Sequence, residues 1–224
     1  MLLLGHACWA YVTGRLAGYG VGTRPNLYLL LFVGMIPDFD LVLGIFGVPH
    51  RTFTHSVLVW TIVFIPLLAK YKTRAIPYFV AVVQHILLGD LIVGRTSIFW
   101  PFVEPRLGLA LPILSPVNLA LEAAGLAIFV VMGLRNHELF SQQKSYLALL
   151  PVLPIILFVV LASFGGLLLP LIMEGSDARH LERNIPALLQ NPNLQAAVVM
   201  HLALSAVILT SFARARLKPR TVGV

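Results

Sequence analysis

Long apolar runs broken by short polar punctuation dominate this chain. They fall at roughly 2–20, 27–47, 56–69, 76–93, 116–134, 146–173 and 194–213. A helix that crosses the hydrocarbon layer needs about 20 such residues, so the pattern predicts about seven membrane spans. Three runs carry helix-breaking residues: Pro37 in the second, Gly89 in the fourth, and Pro151, Pro154 and Gly165-Gly166 in the sixth. Proline removes a backbone donor and crowds the preceding turn, so irregular segments are expected at Pro37 and Gly89 and a kink in the sixth run. The fold class this predicts is all-α: a polytopic helical bundle forming one integral membrane domain over residues 1–224.

Composition agrees with that reading. Of 224 residues, 58% are hydrophobic and 11% charged, and the mean hydropathy is +0.90. No polar stretch is long enough for a separate soluble domain. The first run lacks the basic lead of a signal peptide and is expected to stay as the first helix. The single cysteine, Cys8, excludes an intrachain disulfide. The formal charge of +7 does not point to nucleic acid, because the basic residues are scattered among loops. Eleven of the sixteen, among them Arg15, Lys70, Lys72, Arg74 and the RARLKPR tail, fall on one side of the predicted topology. The five on the other side are Arg51, Arg95, Arg106, Arg179 and Arg183. The positive-inside rule then places the N-terminus outside and the C-terminus in the cytoplasm.

The rare ionisable residues change the picture most. Asp38, Asp40 and Asp90 lie in or beside apolar runs, together with His6, His50, His55 and His85. Carboxylates at membrane depth carry an insertion penalty of roughly 2.5–3.5 kcal/mol, so their default reading is functional. Counting about 1.5 Å per helical residue brings all seven to the outer half of the membrane. Imidazoles and carboxylates without thiolates suit Zn²⁺, with Mn²⁺ or Fe²⁺ as alternatives, and seven candidates are enough for one or two ions. On a regular helix Asp38 and Asp40 would face apart. Either Pro37 breaks the helix so that both point inward, or one is a ligand and the other orients a histidine. The plain alternative is a polar network that only joins helices, which would require every member to be satisfied in a low dielectric. His137, His180 and His201 read as packing residues. Glu122 reads equally as an added ligand or an interhelical hydrogen bond. In PHRTFTHS at 49–56, Thr52 or Thr54 is expected to cap the third span, and Arg51 is suited to clamp an anion with paired donors.

These motifs resemble a known family. His6, GMIPDFD at 34–40, HRTFTHS at 50–56, HILLGD at 85–90 and FWPF at 99–102 are similar to those of the membrane-bound metal-dependent hydrolases, also described as LexA-regulated inner-membrane hydrolases. More distantly, their order resembles that of zinc-dependent phospholipase C. The resemblance covers about the first 105 residues, and residues 106–224 carry no placeable motif. It implies that His6, Asp38, Asp40, His50, His55, His85 and Asp90 form a metal site. Two positions depart from the pattern: four residues separate His85 from Asp90 where three are common, and Val93 stands where threonine is common.

The expected function is therefore a membrane-embedded, metal-dependent hydrolase acting on an amphiphilic phosphoester, such as a phospholipid or polyprenyl phosphate. Arg51 and Arg95 would hold phosphoryl oxygens, and Asp40 would be a ligand or general base. The alternatives are a scaffold or regulator with a structural metal site, and a metal transporter. A transporter needs ionisable residues through both halves of the membrane, and the inner halves here are almost purely apolar.

Overall fold

The computed structural model describes residues 1–43, 50–102, 106–140, 146–163 and 190–217. His180, Arg179, Arg183, Lys144, Lys218, Arg220 and the Gly165-Gly166 kink lie outside them. The described residues are mostly helical and form no strand, with one isolated antiparallel bridge between Thr96 and Leu107. In chain order the helices are α1 (Leu3–Gly20), α2 (Leu27–Val33), α3 (Asp40–Leu43), α4 (Val57–Tyr71), α5 (Ile76–Gln84), α6 (Leu91–Val93), α7 (Pro116–Arg135), α8 (Leu149–Ser163) and α9 (Pro192–Leu217).

Helix α1 is the hub. Leu4, Ala7, Cys8, Ala10 and Tyr11 are fully buried, and the helix packs chiefly against α5, α7 and α2. Small residues let the neighbours approach closely. Gly34 abuts Ala10 and the His6 backbone, so any side chain there would separate the two segments. The buried start of α1 would leave amide N–H groups without partners. Glu122 on α7 accepts from Leu2 N (2.6 Å) and Gly5 N (2.5 Å). His201 on α9 accepts from Leu4 N through Nε2 at 3.1 Å. Glu122 is thus an interhelical hydrogen-bonding residue, and His201 has a packing role that includes a backbone bond. At the far end of α1, Arg15 pairs with Glu138, which also accepts from Tyr11 Oη at 2.7 Å.

Ser56, whose Oγ accepts from Val59 N at 3.3 Å, caps α4. The expectation that Thr52 or Thr54 would do so is corrected: the helix starts at Val57, two residues past His55, and Thr54 is turned toward Asp40. Helices α4 and α5 fold back on each other through a short 3₁₀ turn at Lys72–Ala75. The rings of Phe64 and Phe79 meet at 5.3 Å, and the distant His55 and His85 meet at 3.3 Å.

Among the described residues, three helical stretches are long and apolar enough to cross a membrane: Val57–Val93, Pro116–Arg135 and Pro192–Arg214. The first is the α4–α5 hairpin with its continuation. This is fewer than the seven runs the sequence suggests, for identifiable reasons. The run at 27–47 is cut after Val33, because Pro37 starts a 3₁₀ turn at Ile36–Phe39. Tyr146–Val160 forms a shorter apolar helix, and the rest of that run lies mainly outside the described residues.

Candidate metal centre

Three irregular segments build the site at the end of the hairpin opposite Lys72. The 3₁₀ turn after Met35 carries Asp38 and leads into Asp40. A second 3₁₀ turn, Phe53–His55, presents Thr54 and His55 just before α4. A π-helical turn, His85–Asp90, continues α5. On an α-helix His85 and Asp90 would diverge by about 140°. A π turn instead bonds residue i to i+5 and brings the pair onto one face. The extra residue between them is absorbed there. The irregularities expected at Pro37 and Gly89 are both present, and each turns a carboxylate inward.

The contacts constrain the tautomers of the two central imidazoles. His85 Nδ1 lies 2.7 Å from the Gly34 carbonyl, which can only accept, so that nitrogen carries the proton. His55 Nδ1 lies 3.1 Å from Asp40 Oδ2 and 2.9 Å from Thr54 Oγ1. The threonine hydroxyl donates to the same Asp40 oxygen at 2.6 Å, leaving its lone pair for His55. Both Nε2 atoms are therefore unprotonated in the neutral rings, and they face each other at 3.3 Å. Asp90 Oδ2 completes a near-equilateral triangle, 3.3 Å from His55 Nε2 and 3.4 Å from His85 Nε2. Asp38 Oδ1 lies 3.4 and 3.5 Å from the same two nitrogens. Lone pairs converging in a buried site repel unless a cation lies among them. Bonds of about 2.0–2.1 Å in a tetrahedron give ligand–ligand edges of about 3.3–3.4 Å. The donor set and its spacing fit a divalent ion of the zinc type.

Asp38 reaches a second group through its other oxygen, with Oδ2 3.9 Å from His6 Nε2. The His6 ring stacks on that of His85 at 3.6 Å between centroids, and its Nδ1 is buried without a hydrogen bond. Gly89 lies directly against the His6 ring, where a Cβ would collide with it. Asp40 is differently occupied. Oδ1 meets His50 Nδ1 at 2.7 Å, and Oδ2 accepts from Arg51 N at 3.0 Å as well as from Thr54. The groups with ligand atoms close enough to hold an ion together are Asp38 with Asp40, His50 and His55; His6 with Asp38 and His85; and His55 with His85 and Asp90. They share members, so all seven candidates belong to one contiguous cluster.

Arg51 stands at its edge. Its φ of +60° belongs to the sparsely populated left-handed region, and its guanidinium packs on Gly94 with Nε 3.6 Å from Asp90 Oδ1. Arg95, expected beside it, is exposed, and no hydrogen bond or ion pair ties it to the cluster. Glu122 is likewise not among these groups. Sequence reasoning missed the hydrogen bonds that Thr54 and the Gly34 carbonyl make to the two central histidines. Thr54 sits inside a motif already singled out, whereas the Gly34 carbonyl left no side-chain signal.

The family model described as YdjM inner membrane protein matches residues 1–168. No curated protein and no solved structure matches the chain.

Proposed function

The chain belongs to the YdjM inner membrane protein family, and from that premise we propose that it is a membrane-embedded, metal-dependent hydrolase of an amphiphilic phosphoester, a phospholipid or polyprenyl phosphate. The observation that carries the reading is the triangle of His55 Nε2, His85 Nε2 and Asp90 Oδ2, with edges of 3.3–3.4 Å. Asp38 Oδ1 lies at a similar distance from the same two nitrogens, so the hydrolase reading requires that it leave one position to water or substrate, because catalytic zinc sites keep a position open and structural sites are closed. A divalent ion bound there would acidify water toward neutral pH and neutralise charge on a phosphoryl group.

The chain's own residues supply the rest. The Gly34 carbonyl and the Asp40–Thr54 pair fix the tautomers of His85 and His55, as outer groups around metal ligands do. With both oxygens so engaged, Asp40 orients His55 and His50 in this reading. Asp38, facing both His55 and His6, would help to hold an ion in this reading. Arg51 has its Nε buried without a hydrogen bond, and its paired donors match the oxygens of a phosphoester. The role expected of Arg95 falls to Arg51 alone.

The test uses the full chain purified in detergent, with metal measured on the same preparations assayed against a panel of phosphoester lipids and water-soluble phosphoesters. Wild type should carry zinc, manganese or iron and hydrolyse at least one lipid ester. His55→Ala and His85→Ala should lose both metal and activity, while His201→Ala keeps its metal. A metal-loaded wild type that hydrolyses nothing on the panel would replace the hydrolase with a structural metal site. Equal metal in wild type and both histidine variants would remove the centre itself.

A further inference from the structure

Residues 94–102 and 106–111 lie between the π-helical arm and the approach of α7, in a stretch whose Arg95 and Arg106 the charge pattern places on the outer side. Their structure is unlike an aqueous loop. Several of their backbone polar groups are bonded within the segment or to neighbouring elements of the site. The Ile98 carbonyl accepts from Val57 N (2.9 Å) and Ser56 Oγ (3.1 Å). The Trp100 carbonyl accepts from the same hydroxyl at 3.1 Å. Thr96 and Leu107 exchange a pair of backbone bonds at 2.8 and 3.0 Å, and Leu109 N donates to the Leu91 carbonyl at 2.7 Å. The outward face is apolar: Phe99 is 49% exposed, Trp100 40%, Phe102 79% and Leu109 72%. Arg95 is exposed at the root of the same segment.

Water would satisfy an aqueous loop's backbone and would penalise exposed phenylalanine and leucine. Non-helical backbone is tolerated at membrane depth only when its polar groups are satisfied within the protein. Both features of this segment match the second environment. An aromatic edge next to an exposed arginine also complements a lipid, since aromatic rings favour the headgroup level and a guanidinium pairs with phosphate.

We propose that residues 94–102 and 106–111 form a lipid-facing surface, seated in the leaflet on the site's side, with Phe99, Trp100, Phe102 and Leu109 against acyl chains and Arg95 at the phosphates. The occupant of this surface is bilayer phospholipid. Ser97 N bonds the Arg51 carbonyl at 3.5 Å, and Thr96 Oγ1 bonds that of His55 at 3.4 Å. The surface therefore brings the hydrocarbon boundary beside the metal cluster. The inference rests on membrane insertion and stands apart from whether the centre hydrolyses anything.

Single cysteines at Phe102→Cys, Leu109→Cys and Thr73→Cys, in a Cys8→Ala background, would be spin-labelled and reconstituted into phosphatidylglycerol–phosphatidylcholine vesicles. Should that background fold poorly, Cys8 can be retained, because it is buried. Collision with oxygen reports the hydrocarbon, and collision with a water-soluble nickel chelate reports the aqueous phase. The depth parameter is expected to be positive at 102 and 109 and negative at 73, on the hairpin tip. Nickel-favoured collision at both 102 and 109 would overturn the lipid-facing surface and make the patch a site for a water-borne protein partner. Metal content measured on the same samples keeps a failure of that surface separate from a failure of the centre.

Discussion

At the scale of single residues, the site rests on contacts that leave little room for substitution. The clearest case is Arg51. Its Nε ion-pairs with Asp90 Oδ1 at 3.6 Å, which leaves the other donors of the guanidinium fork for an anion at the edge of the site. A phosphoester in the site would meet the remaining donors. Lysine keeps the charge but loses the planar fork, so Arg51→Lys should retain its metal and lower kcat/KM by about 10²–10³, the scale of one preorganised donor. Steady-state kinetics alongside metal analysis checks this, and an equally active variant would remove the clamp. Much of this scale was legible in the sequence. PDFD and HRTFTHS announced five of the groups at the centre, Asp38, Asp40, His50, Arg51 and His55, because charged and imidazole side chains stand out in an apolar chain. The partition between ligands and orienting groups was not legible. Asp38 and Asp40 are chemically identical, and only Thr54 Oγ1, Arg51 N and His50, all near Asp40, distinguish their roles.

The elements that hold these residues are the irregular ones. Regular α periodicity would have placed His85 and Asp90 on different faces, and nothing in HILLGD states that the turn is π-helical. The spacing itself suggests a test. Because the π turn absorbs one residue, deleting one from its exposed side should let the turn revert to α geometry, where residues four apart share a face. Leu87, 47% exposed, is the residue to remove. The deletion variant should bind as much metal as wild type, measured by elemental analysis of the purified protein, while an alanine inserted after Leu87 should abolish binding. Loss of metal in the deletion variant would mean that the π turn supplies more than alignment. The start of α1 escaped sequence reading for a related reason. Glu122 and His201 satisfy its amides from helices more than a hundred residues away, and such pairing follows from tertiary packing rather than local pattern. This gives part of the motif-poor C-terminal half a place: it fixes the turn that carries His6.

For the molecule as a whole, the remaining question is which side of the membrane the centre faces. The α4–α5 hairpin separates two chemically different ends. Its tip carries Lys70, Lys72 and Arg74, and the other end holds His55, His85 and Asp90, about 22 Å away along a fifteen-residue helix. Cytoplasmic loops are enriched in lysine and arginine, and the tip falls with the eleven basic residues rather than the five. The tip should therefore lie in the cytoplasm and the metal centre toward the opposite face. Cysteines at Thr73 and Arg95, both exposed, report the two ends, while buried Cys8 stays silent. In intact cells an impermeant thiol reagent should modify Arg95→Cys and spare Thr73→Cys until the membrane is permeabilised. The reverse pattern would invert the protein, direct the centre to cytoplasmic substrates, and assign the basic tip to the outer surface against the charge rule. Labelling of both sites in intact cells would mean that the hairpin does not cross the membrane, and the three long apolar stretches would then need a different arrangement from the one their length implies.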